Sequence, residues 1–231
     1  MVKRLAVIPA RGGSKRIINK NLYSFYGKPM IYYPLKTAKK STLFDTIHVS
    51  TDSEKIVKVV ENLGFKVYFK RSKKLSTDKV GLLPVLKNVI TEFKKIKKEF
   101  DVVTLIFPCS SLINSIDLIE ANKIFESYKN KYPVISVSKF PAPPEWAFEK
   151  RKNFLKPVKW EKLKKNSQDL KTKYFDTGDF TFFSSKQILN YDNSQVDYSK
   201  YIGFDIEISR AIDIDTLDDL NFAKQLFKLK K

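Results

Sequence analysis

The sequence predicts an α/β fold built on a doubly wound, mostly parallel sheet. In the first 140 residues, short apolar segments alternate with amphipathic stretches of helical period, which is typical of βαβ units. Apolar segments such as RLAVIP and VVTLIF are nearly continuous, as expected for strands buried on both faces. The chain has 231 residues, 42% of them hydrophobic, which suffices for one sizeable core but is short for two. We therefore predict a single domain over residues 1–231.

Five strands and four helices are predicted in this first part. The strands are Arg4–Pro9, Thr46–Thr51, Lys66–Lys70, Val102–Phe107 and Val134–Lys139, and the helices are Ile31–Lys40, Ser53–Leu63, Leu82–Phe100 and Ser115–Lys129. Ser53 is predicted to cap its helix and Gly64 to end it. His48, the only histidine, lies in the middle of the second strand, which favours a structural role over a catalytic one.

The character of the chain changes at Phe140. Prolines at 141, 143 and 144 interrupt regular structure, and Glu149–Lys173 is polar and rich in lysine. We expect residues 141–173 to form an insertion, as a hairpin or an arm. Beyond it, Phe180–Phe183 and Gly203–Ile208 are candidate strands, and Thr216–Lys228 is predicted to be a closing amphipathic helix.

A formal net charge of +19 suggests a nucleic-acid partner, because basic side chains neutralise phosphates. Only six of the 44 basic residues are arginine, however, and the lysines are spread over predicted helix surfaces, which favours a solvated face and no nucleic-acid partner. The apolar run near the N-terminus is too short for a signal peptide or a membrane span. One cysteine, Cys109, excludes an intramolecular disulfide and fits a cytoplasmic protein.

The loop after the first strand, Ala10–Asn21, carries the strongest chemical signal. It contains two glycines, four cations (Arg11, Lys15, Arg16 and Lys20), a serine and two asparagines. Glycines let backbone N–H groups approach phosphate oxygens, and fixed cations offset the charge of a triphosphate. The spacing matches neither a Walker A loop nor the dinucleotide-binding G-x-G-x-x-G pattern. By composition alone, a solvated basic turn stays open as the alternative.

A second signal is the segment Ile212–Thr216, with the sequence IDIDT. Alternate residues of an extended segment point the same way, so Asp213 and Asp215 are predicted to face one side. Two close carboxylates with substrate phosphates suit Mg²⁺. Alternatively, Asp215 or Thr216 caps the following helix, whose first turn also carries Asp218 and Asp219.

The stretch IPARGGSKRIINKN, with Gly27–Pro29 and Ser50–Asp52, resembles the acylneuraminate cytidylyltransferase family. Similar motifs occur at residues 8–29, 50–52, 71, 105–111, 167–179 and 213–219. The resemblance implies a Rossmann-like fold of the nucleotide-diphospho-sugar transferase type. It also implies an enzyme that uses CTP and Mg²⁺ to activate an acidic nine-carbon sugar, giving a CMP-sugar and pyrophosphate. Homodimerisation through residues 141–173 is a further expectation of the resemblance.

The resemblance also implies roles for individual residues. The expected nucleotide-binding residues are Ala10, Arg11, Gly12, Gly13, Ser14, Lys15, Lys20, Asn21, Arg71, Asp78, Pro108 and Ser110. Arg11, Lys20 and Asp213 are expected to be catalytic, and Asp213 and Asp215 to bind Mg²⁺. Cys109 stands where the family usually has threonine, and we assign it no nucleophilic role.

Segments 167–170 and 174–180 resemble the R-S-Q-D-L and Y-H-D-A-G-Q-F motifs of pseudaminic acid cytidylyltransferases. The matching residues, Gln168, Asp169, Asp176 and Gly178, are expected to bind the sugar. The sequence departs from the pattern at Phe175 and Asp179, and at Gly81 and Leu82, where the family has a threonine-rich stretch. Two alternatives therefore stay open: a transferase for another sugar or nucleotide, and a basic binding protein that has lost the activity.

Overall fold

In the computed structural model, which describes residues 1–191 and 197–229, six strands form the central sheet. The described residues contain ten strands in all: β1 (Arg4–Pro9), β2 (Ser24–Phe25), β3 (Lys28–Pro29), β4 (Thr46–Ser50), β5 (Val102–Ile106), β6 (Val134–Lys139), β7 (Phe148–Arg151), β8 (Phe154–Pro157), β9 (Tyr174–Ser184) and β10 (Ile202–Asp205). The sheet has the order β10-β6-β9-β5-β1-β4, while β2–β3 and β7–β8 form separate hairpins. All neighbouring strands of the sheet are parallel except β9, which is antiparallel to β5 and β6. The predicted mostly parallel sheet is confirmed.

Helices cover both faces of this sheet. They are α1 (Tyr32–Ser41), α2 (Glu54–Asn62), α3 (Leu82–Lys95), α4 (Ser115–Ser127), α5 (Trp160–Leu163), α6 (Ser185–Leu189) and α7 (Leu217–Leu229). Side chains of β1 alternate between the two faces: Ala6 and Ile8 pack in a core with α1, α2 and α4, whereas Leu5 and Val7 pack in a core with α3 and α6. This two-sided burial explains the continuous apolar sequence of the strand.

A third apolar cluster fixes the two loops that carry the chemical signals. It joins α7 to the β2–β3 hairpin through Phe25, Met30 and Leu220. Ile17 from the loop after β1 and Ile214 from the segment before α7 belong to the same cluster. Because both loops bury an isoleucine in one cluster, their polar side chains are held close together.

Most predicted elements agree with the structure to within a few residues. Gly64 ends α2 in a left-handed conformation with φ of 81°, as predicted. Ser53 precedes α2, but its side chain makes no capping hydrogen bond. The helix α3 ends at Lys95, short of the predicted Phe100, because Lys97 adopts a left-handed φ of 59°. None of the described helices combines the length and hydropathy needed to cross a bilayer.

The predicted strand Lys66–Lys70 is wrong. These residues do not join the ladder beside β4, and the backbone bond from Arg71 N to Thr51 O, 2.8 Å, lies just beyond them. Side chains hold the segment instead, since Tyr68 and Phe69 pack against Phe93 of α3. Aromatic packing and strand pairing produce similar apolar alternation, so the sequence pattern did not separate them.

Residues 141–173, which we call the arm, contain the hairpin β7–β8 and the short helix α5. That they are an insertion stays a prediction. Glu145, which is buried, forms an ion pair with Lys173 at the base of this arm. The arm exposes several large apolar side chains, namely Phe148, Phe154, Leu155, Val158 and Trp160.

His48 is fully buried in an aromatic environment. Its ring lies 4.4 Å from the centroid of Phe69 and 5.3 Å from that of Phe93, and neither ring nitrogen has a hydrogen-bond partner among the described residues. Burial lowers the pKa of His48 to about 3, because the charged imidazolium is poorly solvated there. The His48 side chain is therefore neutral and packs in the core, which agrees with the predicted structural role.

We expect His48 to make the protein sensitive to mild acid. The unfolded chain takes up the proton near pH 6.5, whereas the folded protein resists it down to about pH 3. Stability is therefore full above pH 6.5 and falls by about 1.4 kcal/mol for each pH unit below it. Urea unfolding between pH 7.5 and 5 measures this, with His48→Leu as the control, in which the slope becomes flatter. An unchanged slope in His48→Leu would contradict the assignment.

Candidate active site

The loop after β1 and the aspartate segment before α7 meet at one cavity. The cavity, of about 190 Å³, opens at the carboxyl edge of β1 and β5, where open α/β sheets bind their ligands. Its wall consists of Pro9, Arg11, Ser14, Lys15, Arg16, Ile17, Lys20, Asn21, Leu82, Phe107, Pro108, Cys109, Gly178, Ile212, Asp213 and Ile214. Residues that are almost 200 positions apart in the sequence thus share one site.

Two cations of the loop are bonded directly to the aspartate segment. The Nζ atom of Lys20 lies 3.1 Å from Oδ1 of Asp215 and donates to the carbonyl oxygen of Ile214 at 2.6 Å. Arg16 pairs with the other carboxylate oxygen of Asp215 at 2.8 Å. Lys20 is mostly shielded from solvent, so its ion pair is less screened than a surface pair. These bonds fix the distance between the cationic and the anionic side of the cavity.

Asp213 faces the cavity without such partners. It accepts no hydrogen bond and forms no ion pair with any residue that the structure describes. Partial burial against the wall raises its pKa, and the negative charge of Asp215 adds to this effect. A Cβ atom at Gly178 would be in ordinary van der Waals contact with Cγ of Asp213, at 3.5 Å, so this glycine lies directly beside the carboxylate. Asp213 is the carboxylate best placed to receive a ligand.

The start of α7 is capped by residues other than the twin aspartates. The hydroxyl of Thr216 accepts from the N–H of Asp219 at 3.2 Å, and Oδ2 of Asp219 accepts from the N–H of Thr216 at 2.7 Å. This reciprocal pair is a capping box, which satisfies two backbone donors of the helix. The structure assigns capping to Thr216, as one alternative for the segment expected, together with Asp219. Asp213 lines the cavity, and Asp215 is bonded to Lys20 and Arg16 beside it.

A buried ion pair anchors the chain just before the twin aspartates. Both guanidinium nitrogens of Arg210 bond to Asp117 at the start of α4, at 2.6 and 3.0 Å. The two side chains are largely buried, so the bidentate geometry holds this approach firmly. Asp179, also buried, lies near this pair, and burial raises its pKa to about 7.

A second cavity, of about 220 Å³, adjoins the first through Pro9, Arg11 and Leu82. Arg71 and Asp78 lie in its wall. Arg71 is 7% exposed, and its Nε and Nη2 atoms have no hydrogen-bond partner among the described residues. A buried guanidinium with free donors is costly unless a ligand satisfies it.

Asp78 bridges two cations across the mouth of the cavities. One carboxylate oxygen pairs with Arg11, and the other lies 2.6 Å from Nζ of Lys15. Hydrogen bonds from Lys15 and then Arg11 lower the pKa of Asp78. A phosphate group that enters the site would therefore compete with the Asp78 carboxylate for Arg11 and Lys15.

Hydrogen bonds of buried groups fix the backbone of the loop after β1. The side-chain amide of Asn21, which is buried, donates to the carbonyl oxygen of Arg11 at 3.0 Å. Ala10 is also buried, and its N–H donates to the carbonyl oxygen of Ser50. These contacts set the loop's backbone, while Arg11, Ser14 and Lys15 line the cavity.

The turn after β5 is divided between cavity and core. Pro108 and Cys109 line the cavity, but the hydroxyl of Ser110 is buried and donates to the carbonyl oxygen of Asp179. Burial raises the pKa of the Cys109 thiol to about 12, which agrees with a packing role and no nucleophilic one. The expected nucleotide contact of Ser110 stays a prediction, since its side chain lines neither cavity.

The expected sugar-binding residues fall into two places. Gly178 lines the first cavity, and Asp176, which accepts from the Gly178 N–H at 2.8 Å, interacts electrostatically with Asp213. Gln168 and Asp169 lie instead in a short 3-10 helix of the arm, exposed and outside the walls of both cavities. The described chain therefore brings together only half of the predicted set.

The donor chemistry at the first cavity fits Mg²⁺. The described residues contain no group of three or more acidic, histidine or cysteine side chains that could hold a metal alone. Mg²⁺ usually takes one or two carboxylates and completes its shell with substrate phosphates and water. Asp213 and Asp215 supply that number of carboxylates, and a cation would offset the repulsion between their negative charges.

Some wall residues were not assigned by the sequence. Ile17, Leu82 and Phe107 line the first cavity, and Arg16 bonds to Asp215. Two isoleucines interrupt the polar loop, but only Ile17 is buried, whereas Ile18 is 79% exposed, so the sequence did not single out Ile17. The partner of Arg16 had no sequence signal either, because it depends on how two distant segments meet.

A cationic loop that meets two neighbouring aspartates beside one cavity, at the carboxyl edge of a doubly wound sheet, is the arrangement expected of a nucleotidyltransferase. The cytidylyltransferase family model matches residues 5–230. The chain belongs to the cytidylyltransferase family.

Full-length relatives agree with this assignment. The pseudaminic acid cytidylyltransferase of Campylobacter jejuni is 36% identical, over 99% of this chain and 97% of that protein. The CMP-N,N'-diacetyllegionaminic acid synthase of Legionella pneumophila is 30% identical, over 98% of this chain and 97% of that protein. The fold is similar to that of CMP:2-keto-3-deoxy-manno-octonic acid synthetase complexed with CTP, with a TM-score of 0.74 and 17% identity over 99% of this chain and 100% of that one. The doubly wound nucleotidyltransferase fold is thus confirmed.

Proposed function

We propose that this enzyme transfers the cytidylyl group of CTP to a nonulosonic acid of the pseudaminic or a related sialic type, releasing pyrophosphate. The observation that carries the proposal is the cavity lined by the cationic loop and by Asp213, with Asp215 bonded to Lys20 of that loop. The names of the full-length relatives support CTP as the nucleotide and a nonulosonic acid as the acceptor.

In this proposal, the role of each basic residue follows from the cavity that it lines. Arg11, Lys15 and Lys20 bind and orient the triphosphate, and their charges offset the negative charge that develops on the leaving pyrophosphate. Arg71 binds the nucleotide in the second cavity, where its unpaired donors face the ligand. The anomeric hydroxyl of the sugar attacks the α-phosphorus, and alignment of the two reactants accounts for much of the rate.

Asp213 and Asp215 would hold Mg²⁺ at this site. When bound, the ion neutralises phosphate charge and polarises the phosphoryl group. Asp213 lines the cavity, and Lys20 and Arg16 of the loop after β1 hold Asp215 beside it. Asp176 and the Gly178 backbone, next to Asp213, face the acceptor sugar.

A pyrophosphate-release assay tests the function. Purified protein is supplied with Mg²⁺, one of the four nucleoside triphosphates, and pseudaminic, legionaminic, N-acetylneuraminic or octulosonic acid. The proposal expects release with CTP and a nonulosonic acid. Release with octulosonic acid or another nucleotide would favour the first alternative. No release with any pair, together with salt-sensitive RNA binding, would favour a binding protein that has lost the activity.

We also propose that the enzyme is a cytoplasmic homodimer that associates through the arm. The exposed apolar side chains of β7, β8 and α5 support this, because monomers rarely leave such surface uncovered. Its lone, buried cysteine suits a reducing compartment.

If the arm forms the dimer interface, charged substitutions on it should lower the molecular mass of the protein in solution. Leu155→Glu combined with Trp160→Glu places charges on the exposed apolar surface of the arm, and we expect it to convert a dimer into a monomer. Size-exclusion chromatography with light scattering measures the mass. Phe222→Glu, on the exposed side of α7, is the matched control and should remain dimeric. A wild-type monomer at micromolar concentration would contradict the proposal.

A further inference from the structure

The short segment that begins at the last residue of β4, Ser50–Ser53, contacts three parts of the nucleotide site. Its first residue accepts the N–H of Ala10, at the end of β1, at 2.9 Å. The carbonyl oxygen of Thr51 accepts the N–H of Arg71 at 2.8 Å. The Oδ1 atom of Asp52 accepts the N–H of Gly12 at 3.0 Å. Only the last of these bonds depends on the identity of a side chain.

The bond from Gly12 to Asp52 divides the two glycines of the loop by function. The N–H of Gly12 already has its acceptor, and a Cβ atom there would lie 3.0 Å from Cβ of Ser53, so this glycine packs against the segment after β4. A Cβ atom at Gly13 would have no neighbour within 4 Å. Asp52 thus holds Gly12 against the segment that follows β4, whereas Gly13 lies on the open side of the loop.

The same carboxylate supports the buried arginine. Burial lowers the pKa of Arg71, the negative charge of Asp52 opposes that effect, and the positive charge of Arg11 adds to it. Asp52 therefore interacts electrostatically with Arg71, which the nucleotide site uses, from behind the loop after β1. It lines neither cavity, so it does not compete with phosphate for the cations.

We propose that Asp52 is a positioning residue that fixes the phosphate-binding loop through the Gly12 amide. The proposal rests on the proposed function, because it assigns Asp52 to the CTP side of the site. Loss of the bond frees the loop backbone between Arg11 and Lys15, so both side chains leave their productive positions more often. The effect falls on CTP and not on the acceptor sugar, since the Gly178 N–H bonds to Asp176, and Ile214, next to Asp213, is buried in the third apolar cluster.

Three variants separate this role from general stability. Asp52→Ala removes the acceptor, and Asp52→Asn retains a side-chain oxygen for the Gly12 N–H while removing the charge. Asp45→Ala is the matched control, because Oδ2 of Asp45 accepts the N–H of Arg4 at 2.7 Å at the other end of the same strand pair. Each is assayed for pyrophosphate release with the acceptor sugar and CTP varied in turn, and the melting temperature is measured in parallel.

We expect Asp52→Ala to raise KM for CTP by about tenfold or more, with KM for the sugar within about twofold of wild type. Asp52→Asn should raise KM for CTP by only about threefold, and Asp45→Ala should lower the melting temperature without changing KM for CTP. Equal rises of both KM values in Asp52→Ala, an unchanged KM for CTP, or Asp52→Asn as impaired as Asp52→Ala would each overturn the inference. If wild type itself releases no pyrophosphate from CTP, the proposed function fails; if wild type is active, only the inference is at stake.

Discussion

Arg11→Ala lowers kcat/KM for CTP by about 10²-fold or more in our account, since it removes an oriented charge from the developing pyrophosphate. Arg11 is singular among the cations of the loop because it lines both cavities. Its guanidinium pairs with Asp78 across their mouth and faces the place where a triphosphate would lie. Steady-state kinetics with CTP varied at a saturating sugar concentration measure the effect.

Arg4→Ala is the matched control for this prediction. Arg4 also forms an ion pair, with Glu126 of α4, but it lies at the opposite end of β1 from the cavities. We expect Arg4→Ala to cost stability and to leave kcat/KM for CTP within about threefold of wild type. Wild-type kinetics in Arg11→Ala would show that the loop after β1 does not bind the triphosphate.

Asp213→Asn is expected to lower kcat by about 10²-fold or more while the protein stays folded. Asp213 has no ion pair or hydrogen-bond partner among the described residues, so the amide disturbs few native contacts. Asp215 is less suitable for this test, because its replacement also breaks the bonds to Lys20 and Arg16. A pyrophosphate assay over a range of Mg²⁺ concentrations measures the loss.

Asp218→Asn provides the comparison, since it removes an exposed carboxylate five residues further along, in the first turn of α7. It should change stability by only a few tenths of a kcal/mol and leave kcat near the wild-type value. A similar kcat in Asp213→Asn and Asp218→Asn would remove Asp213 from the catalytic site.

The sequence was informative wherever one local pattern had one structural meaning. Arg4–Pro9 and Val102–Phe107 are apolar runs that only a doubly covered strand explains, and both are strands in the sheet. Lys66–Lys70 was ambiguous, because alternating aromatic residues pack equally well beside a sheet without joining its ladder. Helix ends were less certain for the same reason: the left-handed Lys97 that ends α3 has no distinguishing sequence.

For the site, the sequence predicted the groups but not their contacts. The meeting of the Ala10–Asn21 loop with Asp213 and Asp215 follows from the rule that ligands bind at the carboxyl edge of the sheet. Which groups pair there depends on tertiary packing, so neither the bond of Arg16 to Asp215 nor the inward turn of Ser110 was predictable. Gln168 and Asp169 lie exposed on the arm, outside the walls of both cavities, so their expected sugar contact stays a prediction.

In our account, the Ala10–Asn21 loop and the pair Asp213 and Asp215 bind the same nucleotide. Calorimetric titration of CTP, with and without Mg²⁺, is the most direct test of this shared binding. The proteins compared are wild type and the double variant Asp213→Asn with Asp215→Asn. Without Mg²⁺ the variant should bind CTP at least as tightly as wild type, because two repelling carboxylates are gone. With Mg²⁺, wild-type affinity should rise by about tenfold or more, while that of the variant should change little. An equal effect of Mg²⁺ on both proteins would contradict the shared site.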